Sequence, residues 1–242
     1  MPRATQPTDM CIIVTYRCPM RCKMCNIWAN PTIQEKEITL DEIRRLPNVK
    51  FINITGGEPF VREDLEQIVE ICLSKAPRVV ISTSGWYEEQ LIALAERFPT
   101  IGVRVSTEGM VEKNDELRGR KGSFEKAIRI LKKLKEMGMK DIGFGITVSN
   151  NNSDDMLELY HLSHSLGMEF ATAAFHNSYY FHKYDNVIEN KEEVCGNFEK
   201  LVNLQLKESN PKSWFRAYFN RGLINYIQGN PRLLPCEAGL VN

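Results

Sequence analysis

Three thiols stand within eight residues, Cys18, Cys22 and Cys25, separated by three residues and then by two. Thiolates are soft ligands, and a short loop that brings three of them to one centre suits three corners of an iron–sulfur cluster. No fourth ligand stands nearby in the sequence. One metal position is therefore left open, by the logic that keeps a catalytic zinc site free for substrate. The competing chemistry is a structural zinc site completed by Cys11 or by a distant histidine, but no second cysteine pair of matching spacing supports it. Cys11 lies in an apolar strand and reads as core. One strand after the cysteine loop comes Gly56-Gly57-Glu58-Pro59, which is at least a turn and at most a place where backbone carbonyls approach a ligand.

The elements that position these residues alternate regularly. Met10 to Thr15 reads as an apolar strand running straight into the cysteine loop, so the thiols sit at a strand's C-terminal end. Thr39-Leu-Asp-Glu42 is a capping box, and residues 50–55 form a second strand that ends in the double glycine. Helix 63–75, strand 78–83, helix 87–98 and strand 101–106 follow. Phe124, Ala127, Ile128, Leu131, Leu134 and Met137 make one helical stripe closed by Gly138; then come strand 141–148, helix 153–166 and strand 168–175. Six β-α units in series predict parallel strands with right-handed crossovers.

The strand faces choose between sheet types. Ile101, Val103 and Val105 oppose Gly102, Arg104, Ser106 and Glu108, while Ile142, Phe144, Ile146 and Val148 oppose Gly143, Gly145, Thr147 and Ser149. A doubly wound sheet would be apolar on both faces, and a closed barrel would fill its interior with branched side chains. The small and polar second face predicts an α/β fold: a partial (βα)6 TIM-like barrel around a polar cavity, with chemistry at the strand C-termini. Arg104 is the unusual lining residue, explained otherwise by an edge position that reaches solvent.

Lys plus Arg and Asp plus Glu both number 31, so no positive excess argues for nucleic acid or an anionic membrane as the main partner. No window approaches the ~18 apolar residues of a spanning helix, and the first nine residues lack an apolar signal region, which predicts a cytoplasmic protein. The expected organisation is a flexible tail over 1–9, the barrel over 10–190, two C-terminal helices over 191–229, and a further segment from 230 to 242. His161 and His164, three apart on a helix without a third ligand, read as surface residues, and Cys72 and Cys195 as structural. His176, Tyr179, Tyr180 and His182 follow the sixth strand on the active side.

Cys18, Cys22 and Cys25 at this spacing, Gly56-Gly57-Glu58-Pro59 after the second strand, and Ser106 ending the fourth resemble the radical S-adenosylmethionine (SAM) enzyme superfamily over about residues 10–176. The resemblance implies that the three cysteines hold a [4Fe-4S] cluster whose open iron is chelated by SAM. Reductive cleavage would then give a 5′-deoxyadenosyl radical that abstracts hydrogen from a peptide or small-molecule substrate. It further implies that Gly56, Gly57 and Glu58 form the amino-group site and that Met24 lies on the adenine where the family usually has an aromatic or apolar residue. Ser106 and Glu108 correspond to a Ser-x-Asp pair that binds ribose, with Glu one methylene longer than the usual Asp. Arg118, before Gly119, resembles an arginine that pairs with the SAM carboxylate; its plain alternative is a solvated arginine ahead of a helix.

The implied electron donor is flavodoxin- or ferredoxin-like. Cys236-x-x-Gly239 resembles the opening of a cysteine-rich SPASM or twitch extension that stops short here, so an auxiliary cluster is implied only if further C-terminal sequence exists. Two alternatives remain open: a non-catalytic iron–sulfur electron-transfer protein that lacks the SAM site, and a radical SAM enzyme that modifies tRNA or a cofactor.

Overall fold

The computed structural model describes residues 7–233. Cys236 and its Gly239 partner lie outside the described residues. Six strands, β1 (Asp9–Ile13), β2 (Phe51–Thr55), β3 (Arg78–Thr83), β4 (Gly102–Ser106), β5 (Ile142–Val148) and β6 (Glu169–Ala174), form one sheet in sequence order. All five pairings are parallel, and among the described residues β1 and β6 are the unpaired edges of a half-barrel.

Between them run α1 (Leu40–Arg45), α2 (Leu65–Lys75), α3 (Glu88–Arg97), α4 (Val111–Arg118), α5 (Ser123–Glu136) and α6 (Asp155–Ser165). The capping box forms as the sequence dictates: Thr39 accepts from the Glu42 amide, and the Glu42 carboxylate reaches back to the Thr39 amide. The two last helices, α7 (Lys191–Leu206) and α8 (Pro211–Gln228), pack on each other, and α8 meets β6 through a hydrogen bond from Thr172 to Asn220.

The alternation of side chains separates a dry face from a wet one. Ile12, Ile52, Ile54, Ile81, Val103, Val105, Phe144 and Ile146 join the helices in one buried core. On the opposite face the parallel register sets Cys11 beside Asn53 and Arg104 beside Gly143. Cys11 is exposed on that inner face and not part of the core. Its apolar neighbours disguised a residue that alternation assigns to the cavity. Arg104 does point inward, but toward the N-terminal end of the strands, where it closes the barrel against Asp141.

Helix α4 is absent from the periodicity. Its sequence is nearly all polar and buries only Asn114, Leu117 and Arg118, so no apolar stripe announces it. It ends at Gly119, whose left-handed φ of 64° turns the chain back toward the cysteine loop.

Candidate active site

The three cysteines, Met24, Gly56, Gly57, Ser106, Glu108 and Arg118 line one cavity of about 340 Å³ at the C-terminal ends of the strands. Cys11, Asn53, His176 and Tyr180 share its wall.

The double glycine is there so that two loops can touch. The Gly57 amide donates to the Thr15 carbonyl at 2.7 Å, and the Glu58 amide donates to the Arg17 carbonyl at 2.9 Å. A Cβ on Gly56 would stand 2.4 Å from the Thr15 oxygen, and one on Gly57 2.4 Å from the Arg17 oxygen. On its other side the cysteine loop is tied to α4, with the Arg21 amide donating to the Arg118 carbonyl at 3.1 Å and the Lys23 amide to that of Leu117 at 2.9 Å. Glu37 is buried and accepts from Arg17 Nε at 2.8 Å, while Arg62 lies 3.4 Å away. This carboxylate anchors the first turn of the loop; nothing in its local sequence marks it.

Glu58 does not present its side chain to the cavity. Its carboxylate is fully buried and accepts from Thr83 Oγ1 (2.8 Å), the Ser84 amide (2.7 Å), Ser84 Oγ and the Phe60 amide (3.2 Å), so its acceptor sites are spent on the turn after β3. The Gly56 carbonyl accepts from Tyr180 Oη at 3.0 Å, which leaves one lone pair unused. Ser106 is half-buried at the end of β4. Glu108 and Arg118 are both buried and joined by a single contact of 3.2 Å, and the Thr147 amide donates to the same carboxylate at 2.8 Å. Burial alone would lower the Arg118 pKa and it raises that of Glu108, while each of the two pulls the other back toward its charged form.

Burial pushes the Cys18 thiol up to about 12 and Cys22 to about 11, with Arg118 pulling against it in both. Cys25 is raised for the same reason. These thiols are protonated until coordination displaces their protons. Among the described residues no three His, Cys, Asp or Glu side chains gather closely enough to grip a single metal ion. The three thiols all line the cavity, and three soft donors on one short loop suit an iron–sulfur cluster.

A second fit is Asn186, which the sequence did not mark. Its Nδ2 donates to the carbonyls of Met24 (3.1 Å) and His176 (2.8 Å), while its Oδ1 is buried with no partner among the described residues. A buried acceptor without a donor costs ~1–3 kcal/mol, and a ligand amine beside Met24 would relieve it.

Of the aromatic residues after β6, His176 and Tyr180 line the cavity, whereas Tyr179 is 80% exposed. His161 and His164 are exposed on α6, and Cys72 and Cys195 are buried.

The model of the Radical SAM superfamily matches residues 12–162. The Fe-coproporphyrin III synthase of Methanosarcina barkeri is 32% identical over 158 residues, covering 62% of this chain and 39% of that protein. The sporulation killing factor maturation protein SkfB of Bacillus subtilis is 24% identical over 213 residues, covering 85% of this chain and 50% of its own. Streptococcus suis SuiB bound to S-adenosylmethionine superposes with a TM-score of 0.69 at 15% identity, over 84% of this chain and 49% of SuiB. The chain thus spans half or less of the length of these relatives. With more than half of its residues matched by the family model, and with the half-barrel shared, the chain belongs to the radical SAM superfamily.

Proposed function

We propose that this chain carries the SAM-cleaving core of an enzyme that modifies a peptide or small biosynthetic molecule. The observation that carries this reading is the convergence of three separate thiols, the glycine turn and a buried Glu108–Arg118 pair on one cavity. When bound, a [4Fe-4S] cluster and SAM supply a one-electron reductive cleavage that yields a 5′-deoxyadenosyl radical able to abstract hydrogen.

The chain's own residues hold and orient those groups. Cys18, Cys22 and Cys25 are the cluster ligands. The free lone pair at Gly56 and the neighbouring Gly57 backbone accept an ammonium group. Arg118 offers a planar fork to a carboxylate, Glu108 being its resting counter-charge. Ser106 serves ribose hydroxyls, and Met24, held through its carbonyl by Asn186, lies against adenine. Glu58 acts through its turn, keeping the end of β3 beside the glycines.

The substrate class rests on two relatives: one is named for Fe-coproporphyrin III, and SuiB also has a structure with the precursor peptide SuiA. A low-potential cluster and free thiols suit a reducing, cytoplasmic setting, and no helix among the described residues is long and apolar enough to cross a membrane.

The test is anaerobic reconstitution, dithionite reduction and detection of 5′-deoxyadenosine. Removing one ligand in Cys22→Ala should cost more than the ~100-fold lost when residues that merely support a metal ligand are removed. An unchanged yield, or no product from a fully loaded cluster, would sink the reading. A loaded cluster that fails to bind SAM by calorimetry would instead favour an electron-transfer protein.

A further inference from the structure

We infer that Cys11 is a catalytic thiol that gives a hydrogen atom to a carbon radical formed in this cavity; this rests on the function proposed above and assigns the fate of the substrate radical. Cys11 is exposed on the inner face of β1 and lines the same cavity as the three cluster ligands. The parallel register sets it beside Asn53, itself three residues before Gly56. At the ~3.3 Å rise of a strand it therefore lies ~10 Å below the glycine turn. A substrate carbon held between the two meets the SAM-derived radical on one side and the thiol on the other.

The neighbours of Cys11 orient it for this. Ser82 Oγ donates to Asn53 Oδ1 at 3.0 Å, which turns Asn53 Nδ2 toward Cys11 Sγ, 3.9 Å away. The sulfur is thus an acceptor, and its own hydrogen is left free. Burial raises the thiol above its ordinary 9.0 and the Asn53 contact offsets this only in part, so the S–H bond is intact at neutral pH.

Two further observations show that the cavity has room and takes a ligand. On β5, four strands along the sheet, Gly145 alternates with the core residues Phe144 and Ile146, and a Cβ there would meet nothing within 4 Å. In the wall itself Asn186 is only 7% exposed, and its Oδ1 has no partner among the described residues. An acceptor buried in that way waits for a donor from a bound molecule. Cys72 and Cys195, by contrast, belong to the helix-facing core and meet no cavity of this kind.

An S–H bond is weaker than an aliphatic C–H bond, so hydrogen passes downhill from sulfur to a carbon radical. The step breaks the S–H bond, forms a C–H bond and leaves a sulfur radical. One electron from the low-potential one-electron reductant that also drives SAM cleavage, with one proton from water, restores the thiol. Each turnover then takes up two electrons, and the substrate leaves with as many hydrogens as it brought, the new one delivered from the side of β1. Such chemistry inverts a C–H centre and is not a net oxidation. The other wall residue with an exchangeable hydrogen on a readily broken bond is Tyr180, but its Oη is engaged with the Gly56 carbonyl at 3.0 Å.

The test needs no substrate. The reconstituted holoprotein, freed of small thiols, is turned over with SAM and dithionite in heavy water, where S–H becomes S–D and carbon-bound hydrogen does not exchange. With nothing between them, the 5′-deoxyadenosyl radical takes its hydrogen from the thiol. The 5′-deoxyadenosine should gain deuterium in the wild type and in Cys195→Ala and lose that gain in Cys11→Ser and Cys11→Ala, with cluster absorbance per chain the same in each. Mass spectrometry of the holoprotein after iodoacetamide should find Cys11 alkylated and the buried Cys72 and Cys195 untouched. Deuterium-free product from the wild type, or a Cys11 inert to iodoacetamide, would overturn the inference. So would label that persists without Cys11, which would assign the hydrogen to Tyr180, or cluster absorbance lost in Cys11→Ser, which would make Cys11 a ligand. A loaded cluster that yields no 5′-deoxyadenosine at all would overturn the proposed function and this inference with it.

Discussion

At the N-terminal end of the barrel, Arg104 donates to the carbonyls of Val103 (3.1 Å) and Asp141 (2.9 Å) and to the Asp141 carboxylate, which also takes Arg78 Nε at 2.8 Å. At the C-terminal end, Arg118 and Glu108 share one contact, and the two buried side-chain polar atoms without partners among the described residues, Thr107 Oγ1 and Asn186 Oδ1, both lie there. The same alternation of small and polar residues builds both ends. Where charges saturate one another the barrel closes, and where donors and acceptors are left with spare capacity it presents a site. Buried polar groups are normally paired, so Asn186 Oδ1, the one of the two that belongs to the cavity wall, points to what the cavity holds.

The comparison breaks most sharply on the two arginines. Arg118→Ala leaves Glu108 buried without its counter-charge, which should cost the apoprotein ~3–5 kcal/mol in urea unfolding. Arg104→Ala leaves Asp141 with Arg78, so its loss should stay near the ~1.5–3 kcal/mol of hydrogen bonds to a charged group. Adding Glu108→Gln should recover much of the first loss, and a double-mutant cycle measures the coupling. Equal costs at the two ends would erase the distinction between them.

A smaller effect is expected at the loop contact. Gly57→Ala must displace the Arg17 carbonyl, 2.4 Å from the new methyl, and backbone there cannot give cheaply. The strain should be ~1–3 kcal/mol, read as a lowered urea midpoint together with reduced cluster loading at fixed iron and sulfide. Full loading at wild-type stability would mean that the close approach is incidental.

What could be read beforehand follows how local each feature is. The cysteine spacing, the capping box at Thr39 and the six β-α units need only neighbours in sequence, and all are visible there. Cys11 sits among Met10, Ile12 and Ile13, so composition hides what register reveals, its place beside Asn53. Glu58 reads as part of a ligand motif, yet its carboxylate is used by Thr83 and Ser84, 25 and 26 residues on. Arg118 was recognisable by its context. Glu108 was marked as a ribose residue, but its pairing with Arg118 was not, because the polar helix between them carries no stripe. Asn186 closes on Met24 across 162 residues, a contact no pattern in the chain encodes.

The mildest test uses pH to separate the two ends. Burial alone would raise the Asp141 pKa, but Arg78 and Arg104 prevail and hold it at about 2, below its ordinary 3.8. A carboxylate depressed by folding adds stability that is fully present above the unfolded value and is lost as pH falls through the folded one. The window therefore runs from about pH 4 down to about pH 2. The full shift corresponds to ~2.5 kcal/mol, and since the group is only half-buried, screening should reduce this to ~1–2 kcal/mol. Asp141→Asn should thus lie below the wild type in urea midpoint at pH 6 and converge on it toward pH 2. A gap that persisted at the acid end would mean that Asp141 acts through packing, and the closed end of the barrel would no longer owe its closure to charge.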